Sequence, residues 1–433
     1  MPGALDRQQN DATFDGVLAE LQWRGLISQA TAEDALDAHL RHGPITFYCG
    51  FDPTAASLHI GSLVQLLTIR RLQLAGHHPL VLVGGSTGLI GDPRPNSERT
   101  LNPREQVAEW VEALQAQVGR FVALDGANPA TLVNNLDWTA GLSAIDFLRD
   151  VGKHFRVGSM LKKDAVAVRL HSDAGISYTE FSYQILQGYD YLQLYRQYGC
   201  TMQQGGSDQW GNLVSGIDLI RRVESVSVHA IGTPLIQNSD GSKFSKSEGT
   251  AIWLDPSLTT AYAMFQFWLN SADADVVERL KVFTFLSRAE IERLAGAVAE
   301  RPGVREAQRA LAWEVTAIVH GDAAADAARD ASLALFGNGD LDGLDATTLA
   351  AALEGLPRAQ GRVGDPVARL LVDTGLTTSM GESRRAIGQG GVYVNNRRVE
   401  DGDAALETLL HGRFAVLRRG RRSLAAVTTP VDG

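Results

Sequence analysis

The order of apolar segments between residues 45 and 85 limits the fold of this chain more than any other feature. Two continuous apolar runs, "ITFYCGF" (45–51) and "PLVLVGG" (79–85), flank "SLVQLLTIRRLQLAG" (62–76), in which apolar residues recur at helical spacing. A continuous apolar run is typical of a strand that is buried on both faces of a parallel sheet. Strand, helix and strand in this order predict a βαβ unit, whose ligands bind beyond the carboxyl ends of its strands.

One loop at such a strand end leads directly into the predicted helix. In "SLHIGS" (57–62), His59 and Gly61 stand at the helix start, with serine hydroxyls beside them. A helix N-terminus exposes unpaired N–H groups and the positive end of the helix dipole, which together attract anions. The segment therefore predicts a phosphate site. A histidine that only caps the helix is the alternative interpretation.

A second segment with features of a phosphate site is "DGSKFSKSEGT" (240–250). It places Lys243 and Lys246 in a loop between two glycines, with three serine hydroxyls nearby. Two ammonium groups on such a loop can follow a phosphate whose charge moves during a reaction, and so stabilise mainly the transition state. Taken alone, the loop is explained more simply as a solvated surface loop.

A polar stripe within "SYTEFSYQILQGYDY" (177–191) predicts the wall of a pocket. Tyr183, Gln187 and Asp190 are spaced at i, i+4 and i+7, so they share one face of a helix. Charged residues would dominate a face that met only solvent. In the alternative interpretation, Tyr183 and Tyr189 are core residues of an amphipathic helix.

The motif "GGSDQWGN" (205–212) follows the strand-like segment "CTMQQ" (200–204). Asp208 therefore stands at the carboxyl end of a predicted strand, where a carboxylate that binds ribose is expected in this class of fold. A glycine-rich turn with a buried tryptophan is the alternative interpretation.

Length and composition predict a soluble enzyme of two or three domains. The chain has 433 residues, of which 44% are hydrophobic and 21% charged, and domains of about 100–200 residues are usual. From Ser257 to about Phe336 the pattern is almost wholly helical. Residues 337–365 are rich in Gly, Ala, Asp and Pro, and we interpret them as a connector that includes a short helix. From Pro366 we expect two helices, a hairpin that turns at Asn395-Asn396, and a strand, "FAVLRR".

Charge is distributed unevenly along the chain. Its formal net charge is -10, yet residues 376–433 contain nine arginines and six acidic residues, a net +3 that leaves -13 for the remainder. This asymmetry predicts a C-terminal module that faces a polyanion.

Two cysteines, Cys49 and Cys200, suggest neither a disulfide framework nor a metal cluster. We expect them to be small core residues in a reducing cytoplasm. Near Met1 no basic segment precedes an apolar run, and no uncharged apolar run approaches the roughly 20 residues that span a bilayer. We therefore expect a cytoplasmic protein without a membrane partner.

The combination of an H-x-G-x element with a later K-x-S-K-S loop resembles the Rossmann-type, class I aminoacyl-tRNA synthetases. The resemblance to the bacterial tyrosyl-tRNA synthetases runs nearly from end to end. It is carried by "LQWRGL" (21–26), "YCGFDPTAASLHIG" (48–61), "GGSTGLIGDP" (84–93), "FLRDVGKHF" (147–155), "SYTEFSYQILQGYDY" (177–191), "GGSDQWGN" (205–212) and "KFSKS" (243–247).

This resemblance implies a ligase that joins L-tyrosine to tRNA(Tyr) through tyrosyl-adenylate, with release of pyrophosphate. In the family, Thr54 and His59 would contact the γ-phosphate of ATP, Lys243 and Lys246 would hold the departing pyrophosphate, and Gln209 would lie at the reacting carboxylate. The resemblance assigns the remaining ATP contacts to Asp52, Gly61, Ser62, Gly206 and Asp208. Such chemistry needs no protein nucleophile, because positioning and electrostatics lower the barrier.

The resemblance also assigns the amino-acid pocket. Tyr48 and Asp190 would bind the phenolic hydroxyl, while Asp92, Tyr183 and Gln187 would hold the α-amino group. A hydroxyl donor and a carboxylate acceptor can satisfy a buried phenol together. Phenylalanine would leave both of these groups unpaired.

The implied architecture is α/β with three parts. A Rossmann-like, parallel-sheet catalytic domain (1–235) would contain a dimer-forming insertion (about 120–180). An all-helical domain with the lysine loop (236–336) and a linker (337–365) would follow. A small α+β RNA-binding domain similar to a ribosomal protein (366–433) would end the chain. In it, we expect Arg384, Arg385, Arg397 and Arg398 to form a basic face for tRNA.

The sequence departs from the family pattern at a few positions. Ser62 stands where the family usually has histidine or asparagine against the ATP ribose, and Gln204 stands where an aliphatic residue is expected. The segment "DPRPNSERT" (92–100) lacks a lysine that is often present, which Arg94 or Arg99 could replace. These differences keep open the alternative of a divergent second copy with an altered ATP site or inhibitor sensitivity. A separate alternative is an adenylate-forming enzyme without tRNA charging.

The partners implied by the resemblance are L-tyrosine, ATP, tRNA(Tyr) and a second copy of the chain in a homodimer. Mg²⁺ is expected to accompany ATP. No carboxylate cluster in the sequence indicates a metal held by the protein itself.

Overall fold

The computed structural model describes residues 5–94, 97–173, 175–239, 244, 246–247, 250–336 and 339–429, without the side chains of residues 164, 165, 246, 247 and 250. The described chain divides into two compact units. Unit 1 contains residues 1–258 and 272–307, and unit 2 contains residues 259–271 and 308–433.

The elements follow one another along the chain in two groups. The first group is α1 (Val17–Trp23), β1 (Gln29–Ala30), α2 (Glu33–Arg41), β2 (Thr46–Phe51), α3 (Ile60–Leu74), β3 (His78–Val83), α4 (Thr87–Ile90), α5 (Arg104–Val118), β4 (Thr131–Asn134), α6 (Leu136–Thr139), α7 (Ala144–Asp146), α8 (Val157–Met160), α9 (Asp164–Leu170), α10 (Tyr178–Tyr198), β5 (Cys200–Gly206), α11 (Trp210–Glu224) and β6 (His229–Thr233). The second group is β7 (Lys246–Ser247), β8 (Thr250–Ala251), α12 (Ala261–Leu269), α13 (Asp273–Phe283), α14 (Arg288–Glu300), α15 (Glu306–His320), α16 (Asp322–Leu335), α17 (Ala346–Leu353), β9 (Arg358–Gln360), α18 (Val367–Asp373), α19 (Met380–Gly388), β10 (Val392–Val394), β11 (Arg397–Arg398), β12 (Phe414–Arg419) and β13 (Ser423–Thr428).

Unit 1 is built on a six-stranded sheet with the order β1-β6-β5-β2-β3-β4. Strands β4, β3, β2, β5 and β6 are parallel, and the short edge strand β1 is antiparallel to β6. The predicted βαβ unit is confirmed as β2, α3 and β3. Strand β3 is buried at five of its six positions, as its continuous apolar run predicted. The chain order reverses between β2 and β5, which is where ligands bind in such sheets.

Helix α10 lies next to the sheet and begins and ends where its sequence indicates. The Ser177 hydroxyl accepts the N–H of Glu180 at 3.3 Å and caps the first turn. Gly199 ends the helix in the left-handed conformation, with φ +63°, which glycine adopts without strain. One face of α10 packs into a core that includes Leu80, Leu82 and Ile185. The rest of the helix is therefore free to present polar side chains at the edge of the sheet.

Unit 2 combines helices with a five-stranded sheet of order β11-β10-β12-β13-β9. The predicted hairpin turns at Asn395 and Asn396, whose φ values of +48° and +63° give the left-handed pair that such a two-residue turn needs. The predicted strand "FAVLRR" is β12.

Residues 337–365, predicted as a connector with a short helix, contain a helix and also a strand that was not predicted. Of its described residues, 346–353 form α17, and 358–360 form β9, which pairs with β13 in parallel. Leu349 and Leu353 of α17 share a buried core with Phe414 and Val416 of β12. Helix α17 and the five-stranded sheet therefore share one hydrophobic core. An alanine-rich composition and a three-residue strand gave no clear sign of this packing.

Candidate active site

A cavity of about 700 Å³ lies at the carboxyl ends of β2 and β5 in unit 1. Its lining includes most of the residues that the sequence assigned to tyrosine and ATP. The assigned residues that line the cavity are Tyr48, Asp52, Thr54, His59, Gly61, Ser62, Asp92, Tyr183, Gln187, Asp190, Gly206, Asp208 and Gln209. These residues come from segments up to 161 positions apart, counting from Tyr48 to Gln209. The switch point of the sheet is what makes them neighbours.

Asp190 is buried, with 1% of its surface exposed, and its carboxylate is held by two donors. Asn135 Nδ2 donates to Oδ2 at 2.9 Å, and Trp138 Nε1 donates to Oδ1 at 2.8 Å. Burial raises the pKa of Asp190 to about 7, and these two hydrogen bonds partly offset the effect of burial. Each oxygen has one protein donor, so the carboxylate can accept a further hydrogen bond from a ligand.

The Tyr48 hydroxyl completes this end of the cavity. Tyr48 is 1% exposed, and its hydroxyl has no hydrogen-bond partner among the described residues. Burial and the nearby Asp190 raise the pKa of the Tyr48 phenol well above its usual value, so it remains a neutral donor. An unpaired buried hydroxyl costs about 1–3 kcal/mol. A ligand with its own hydroxyl at this point would remove that cost.

A second network occupies the middle of the cavity. Tyr183 donates its hydroxyl to Asp52 Oδ2 at 2.7 Å, and Thr87 donates to Asp52 Oδ1 at 2.7 Å. Asn135 also donates to Thr87 Oγ1 at 2.9 Å, which links the Asp52 network to Asp190. Burial raises the pKa of Asp52 as well. The resemblance assigned Tyr183 to an α-amino group together with Asp92. In this structure the Tyr183 hydroxyl is paired with Asp52, and Asp92 is close enough to raise the pKa of the Tyr183 phenol.

Asp92 and Gln209 lie side by side at a third position. Gln209 Nε2 donates to Asp92 Oδ2 at 3.0 Å, and Asn212 Nδ2 donates to Asp92 Oδ1 at 3.2 Å. Lys163 donates to the Asn212 amide oxygen. Burial lowers the pKa of Lys163 to about 8, which Asp92 partly counteracts. Asp92 therefore offers a carboxylate to a cationic ligand group, within a polar setting that Gln209 and Asn212 fix.

The start of α3 has the geometry of an anion site. His59 is the N-cap residue, and its Nδ1 accepts the N–H of Gly61 at 2.9 Å. The remaining ring nitrogen, Nε2, carries the proton and can donate to a ligand, because burial lowers the pKa of His59 and keeps it neutral. A Cβ at position 61 would lie 2.7 Å from the His59 ring, so only glycine fits here. Capping and ligand contact are thus compatible roles for His59.

Carbonyl oxygens of three glutamine side chains remain unpaired in the cavity wall. Gln187, Gln203 and Gln204 each have a buried Oε1 without a partner among the described residues. Gln204, the departure from the family pattern, donates its Nε2 to the Gln65 backbone and side-chain oxygens at 3.1 and 3.0 Å. The cavity therefore offers several acceptors to the hydroxyl and ammonium groups of a ligand.

The lysine loop lies largely outside the described residues. Lys243 is not among them, and only the backbone of Lys246 is described, as part of β7. Phe244, between them, stacks on Phe283 of α13 with ring centroids 5.3 Å apart. The assignments of Lys243 and Lys246 thus stay predictions.

Two arginines line the same cavity near Asp92. Arg94 is exposed and Arg99 is partly buried. Among the described residues these two supply the permanent positive charge of the lining. They stand in the segment where the sequence lacks the usual lysine.

The four arginines assigned to tRNA lie on α19 and on the β10–β11 hairpin of unit 2, and all four are exposed. Arg384 forms an ion pair with Asp403 at 2.9 Å, and Arg397 lies 3.9 Å from Asp342. Because exposed ion pairs are weak, with values of about 0–1 kcal/mol, both arginines can exchange these partners for phosphate.

The two cysteines are free and buried. Burial raises the pKa of Cys49 to about 12 and also raises that of Cys200. Both are therefore inert core residues, as expected.

The sequence analysis did not identify Asn135, Trp138 and Thr87, which donate hydrogen bonds to the carboxylates of Asp52 and Asp190. A usable signal was present, since "NLDW" (135–138) directly follows β4 at its carboxyl end. The same rule of strand ends had located the other loops of the site.

Neither a metal cluster nor a membrane-spanning helix occurs in the part of the chain that the structure describes. No group of three or more His, Cys, Asp or Glu side chains there could hold a metal ion. Among the same residues, no helix has the length and apolar character that a membrane crossing needs.

Comparison with known proteins agrees with the geometry. The family described as "tRNA synthetases class I (W and Y)" matches residues 40–337, and the "Tyrosine--tRNA ligase SYY-like C-terminal domain" matches residues 348–427. A tyrosine--tRNA ligase of Leifsonia xyli is 65% identical over 98% of this chain and 96% of its own length. One of Streptomyces coelicolor is 59% identical over 95% and 98%.

Solved structures give the same result at lower identity. A C-terminally truncated mitochondrial tyrosyl-tRNA synthetase of Coccidioides posadasii matches with a TM-score of 0.64 and 30% identity, over 73% of this chain and 92% of the other. The corresponding Aspergillus nidulans structure has a TM-score of 0.67 and 27% identity, over 73% and 93%. This chain, with its class I synthetase fold and its small C-terminal α+β domain, belongs to the tyrosyl-tRNA synthetase family.

Proposed function

We propose that this chain is a tyrosine–tRNA ligase that activates L-tyrosine with ATP and then transfers the tyrosyl group to the 3′ end of tRNA(Tyr). In the first step, a tyrosine carboxylate oxygen bonds to the α-phosphorus of ATP, the bond from that phosphorus to the bridging oxygen breaks, and pyrophosphate leaves. In the second step, a terminal ribose hydroxyl of tRNA attacks the acyl carbon and AMP leaves.

The observation that carries the proposal is the unpaired Tyr48 hydroxyl, which lines the same cavity as the Asp190 carboxylate and has its pKa raised by burial and by that carboxylate. Tyrosine would donate its phenolic proton to Asp190 and accept the Tyr48 proton at its phenolic oxygen. Both protein groups are 1% exposed. Phenylalanine would leave them buried and unpaired, and a site built around a substrate hydroxyl rejects the analogue that lacks it. Tyrosine-specific synthetases are themselves the established example of that rule, so its magnitude is no new prediction.

The α-amino group would bind at the other end of the amino acid. Asp92 supplies a carboxylate there, and Gln187 has an unpaired amide oxygen. Tyr183 is committed to Asp52 in this structure, so its assigned contact with the amino group requires a change of hydrogen-bond partner. Gln209, which donates to Asp92, would lie next to the reacting carboxylate.

ATP would bind between the start of α3 and the end of β5. His59 can donate through Nε2 to a phosphate, and Thr54 lines the same part of the cavity. Gly61, Ser62, Gly206 and Asp208 would surround the nucleoside, and Asp52 would lie nearby. Lys243 and Lys246 would hold the pyrophosphate. Catalysis then depends on donors and charges that are placed before the reaction begins.

Mg²⁺ would enter with ATP. The ion would be carried by the phosphates.

The C-terminal region would bind tRNA through Arg384 and Arg385 of α19 and Arg397 and Arg398 of β11, because all four are exposed in unit 2. A homodimer is supported by exposed apolar side chains in the predicted insertion, where Ile145, Leu148 and Val157 are 69%, 51% and 60% exposed. A cytoplasmic location follows from tRNA as the partner.

The alternatives raised by the sequence are not favoured. Identity with tyrosine--tRNA ligases extends over both the catalytic and the C-terminal regions. An adenylate-forming enzyme without tRNA charging would not need the second of these.

Two assays on the full chain test the proposal. Tyrosine-dependent exchange of pyrophosphate into ATP tests activation, and charging of tRNA(Tyr) tests transfer. We expect both, with phenylalanine inactive in the first. Exchange without charging would leave an adenylate-forming enzyme, and the absence of exchange would reject the proposal.

A further inference from the structure

An ion pair between Arg169 and Glu180 is buried beside the cavity. Arg169 Nη2 lies 3.1 Å from Glu180 Oε2, and each side chain is only 2% exposed. Arg169 is in α9, and Glu180 is in the first turn of α10. Neither residue lines the cavity, and neither has a part in the proposed reaction.

Both residues of this pair form hydrogen bonds with the backbone of the segment that contains Arg94 and Arg99, the two arginines of the cavity lining. Arg169 Nη1 donates to the carbonyl oxygens of Arg94 and Ser97 at 3.1 and 2.7 Å. Glu180 Oε1 accepts the backbone N–H of Arg99 at 2.9 Å. Two buried charges thus hold this segment at residues 94, 97 and 99.

The Arg99 side chain is held from a further direction. Its Nε donates to the carbonyl oxygen of Asp92 at 2.8 Å. Gly91, with φ +80°, leaves room for it, since a Cβ there would lie 2.8 Å from Arg99 Cδ. The Arg99 guanidinium therefore lies at the cavity, next to Asp92, whose carboxylate is assigned to the α-amino group of tyrosine.

Stability alone does not explain a buried ion pair at this place. Removing two charges from water costs several kcal/mol per ion, and apolar side chains of similar volume are often equally stable or more so. An ion pair differs from an apolar pair in offering directed donors and acceptors, and here these go to the backbone of residues 94, 97 and 99.

We propose that Arg169 and Glu180 are positioning residues, which hold Arg99 at the cavity so that its guanidinium meets the phosphates of ATP. The inference rests on the proposed function, because it assigns ATP to this cavity. A triphosphate gains most from a cation that is already in place, since no ordering cost remains at the moment of reaction. The pair acts on the reaction only through Arg99 and the segment that carries it.

Glu180→Gln is the main test. It keeps an oxygen acceptor for the Arg99 N–H but removes the charge that orients Arg169. Arg169→Lys, which retains charge but not the forked geometry, is the second variant in case the first folds poorly. The chain offers a matched control in Glu20→Gln, because Glu20 is a buried acid 2.8 Å from Arg24 and also accepts a backbone N–H, that of Asp11.

The measurements are exchange kinetics with varied ATP, tyrosine affinity by equilibrium binding, and thermal unfolding. We expect Glu180→Gln and Arg169→Lys to lower kcat/KM for ATP by about tenfold or more, with tyrosine affinity changed less than about threefold. Glu20→Gln should lose comparable thermal stability but keep its kcat/KM for ATP.

A double-mutant cycle with Arg99→Ala decides whether the effect passes through Arg99. If it does, Glu180→Gln lowers kcat/KM by less than about twofold in the Arg99→Ala background. Independent, multiplicative losses, or equal losses in Glu20→Gln, would overturn the inference. If the parent chain shows no tyrosine-dependent exchange, the proposed function fails instead, which separates the two outcomes.

Discussion

Replacing Trp138 with phenylalanine removes one of the two N–H donors that hold the Asp190 carboxylate. A hydrogen bond to a charged group contributes about 1.5–3 kcal/mol, and one pKa unit corresponds to about 1.36 kcal/mol. Trp138→Phe should therefore raise the pKa of Asp190 by about one to two units, from its value of about 7. The ring of phenylalanine keeps most of the apolar packing at this position.

The raised pKa has a direct consequence for tyrosine binding. The ionised carboxylate can accept the substrate phenol, whereas a neutral acid places its own O–H against an N–H donor. Tyrosine affinity should therefore fall as pH drops through the pKa of Asp190. At pH 7.5 about three quarters of the parent protein has Asp190 ionised, against about a tenth of a variant whose pKa is near 8.5. We expect about a five- to tenfold loss of affinity in Trp138→Phe at this pH.

Equilibrium binding of tyrosine between pH 5.5 and 8.5 measures the effect. The parent should bind more tightly as pH rises through about 7 and level off above about pH 8, while the variant should still be gaining affinity at pH 8.5. Trp313→Phe is the control, because Trp313 donates to Asp326 at 2.9 Å within unit 2 and neither residue lines the cavity. A loss in Trp138→Phe that is the same at every pH, or an unshifted midpoint, would refute the reasoning.

Three further predictions address the same cavity. Asp190 has a folded pKa of about 7, above its usual value of about 3.9, so its contribution to stability is lost as pH rises from about 4 to about 7. The free energy of unfolding should therefore differ less between pH 5 and pH 8 in Asp190→Asn than in the parent. An unchanged difference would contradict this. Tyr48→Phe should lower kcat/KM for tyrosine in exchange by about three- to tenfold without weakening the equilibrium binding of phenylalanine; an equal loss of binding for both amino acids would argue against contact with the phenol. Ser62→His should lower KM for ATP and leave KM for tyrosine unchanged, and an unaltered KM for ATP would remove position 62 from the nucleotide site.

Local rules were sufficient for the framework of the site. Continuous apolar runs predicted β2 and β3, and the spacing of Tyr183, Gln187 and Asp190 predicted the polar wall of α10. A pair of asparagines predicted the turn of the β10–β11 hairpin. In each case the sequence pattern and the element that it predicts are formed by the same few residues, so a single short stretch of sequence contains both.

Contacts between distant segments could not be predicted in this way. Asp190 meets Asn135 and Trp138, which are 55 and 52 residues away, and the separations leave no local pattern. The pairing of Arg169 with Glu180 depends on how α9 packs against α10. Strand β9 was missed because three residues, Arg-Ala-Gln, have no alternation of their own, and their partner strand is far along the chain.

The resemblance to a family supplied roles that the residues alone could not. His59 is the N-cap of α3, which is the simpler of the two interpretations, and the same hydrogen bond leaves Nε2 available to a ligand. The structure therefore makes the two interpretations compatible, and only a bound nucleotide distinguishes a cap from a cap that also binds phosphate.

A crystal structure of the chain with bound L-tyrosine tests the central claim most directly. The account predicts that the phenolic oxygen lies within about 2.6–3.2 Å of both the Tyr48 hydroxyl and an Asp190 carboxylate oxygen, with Asn135 and Trp138 still bonded to that carboxylate. A tyrosine whose ring oxygen points away from Tyr48 and Asp190 would contradict it.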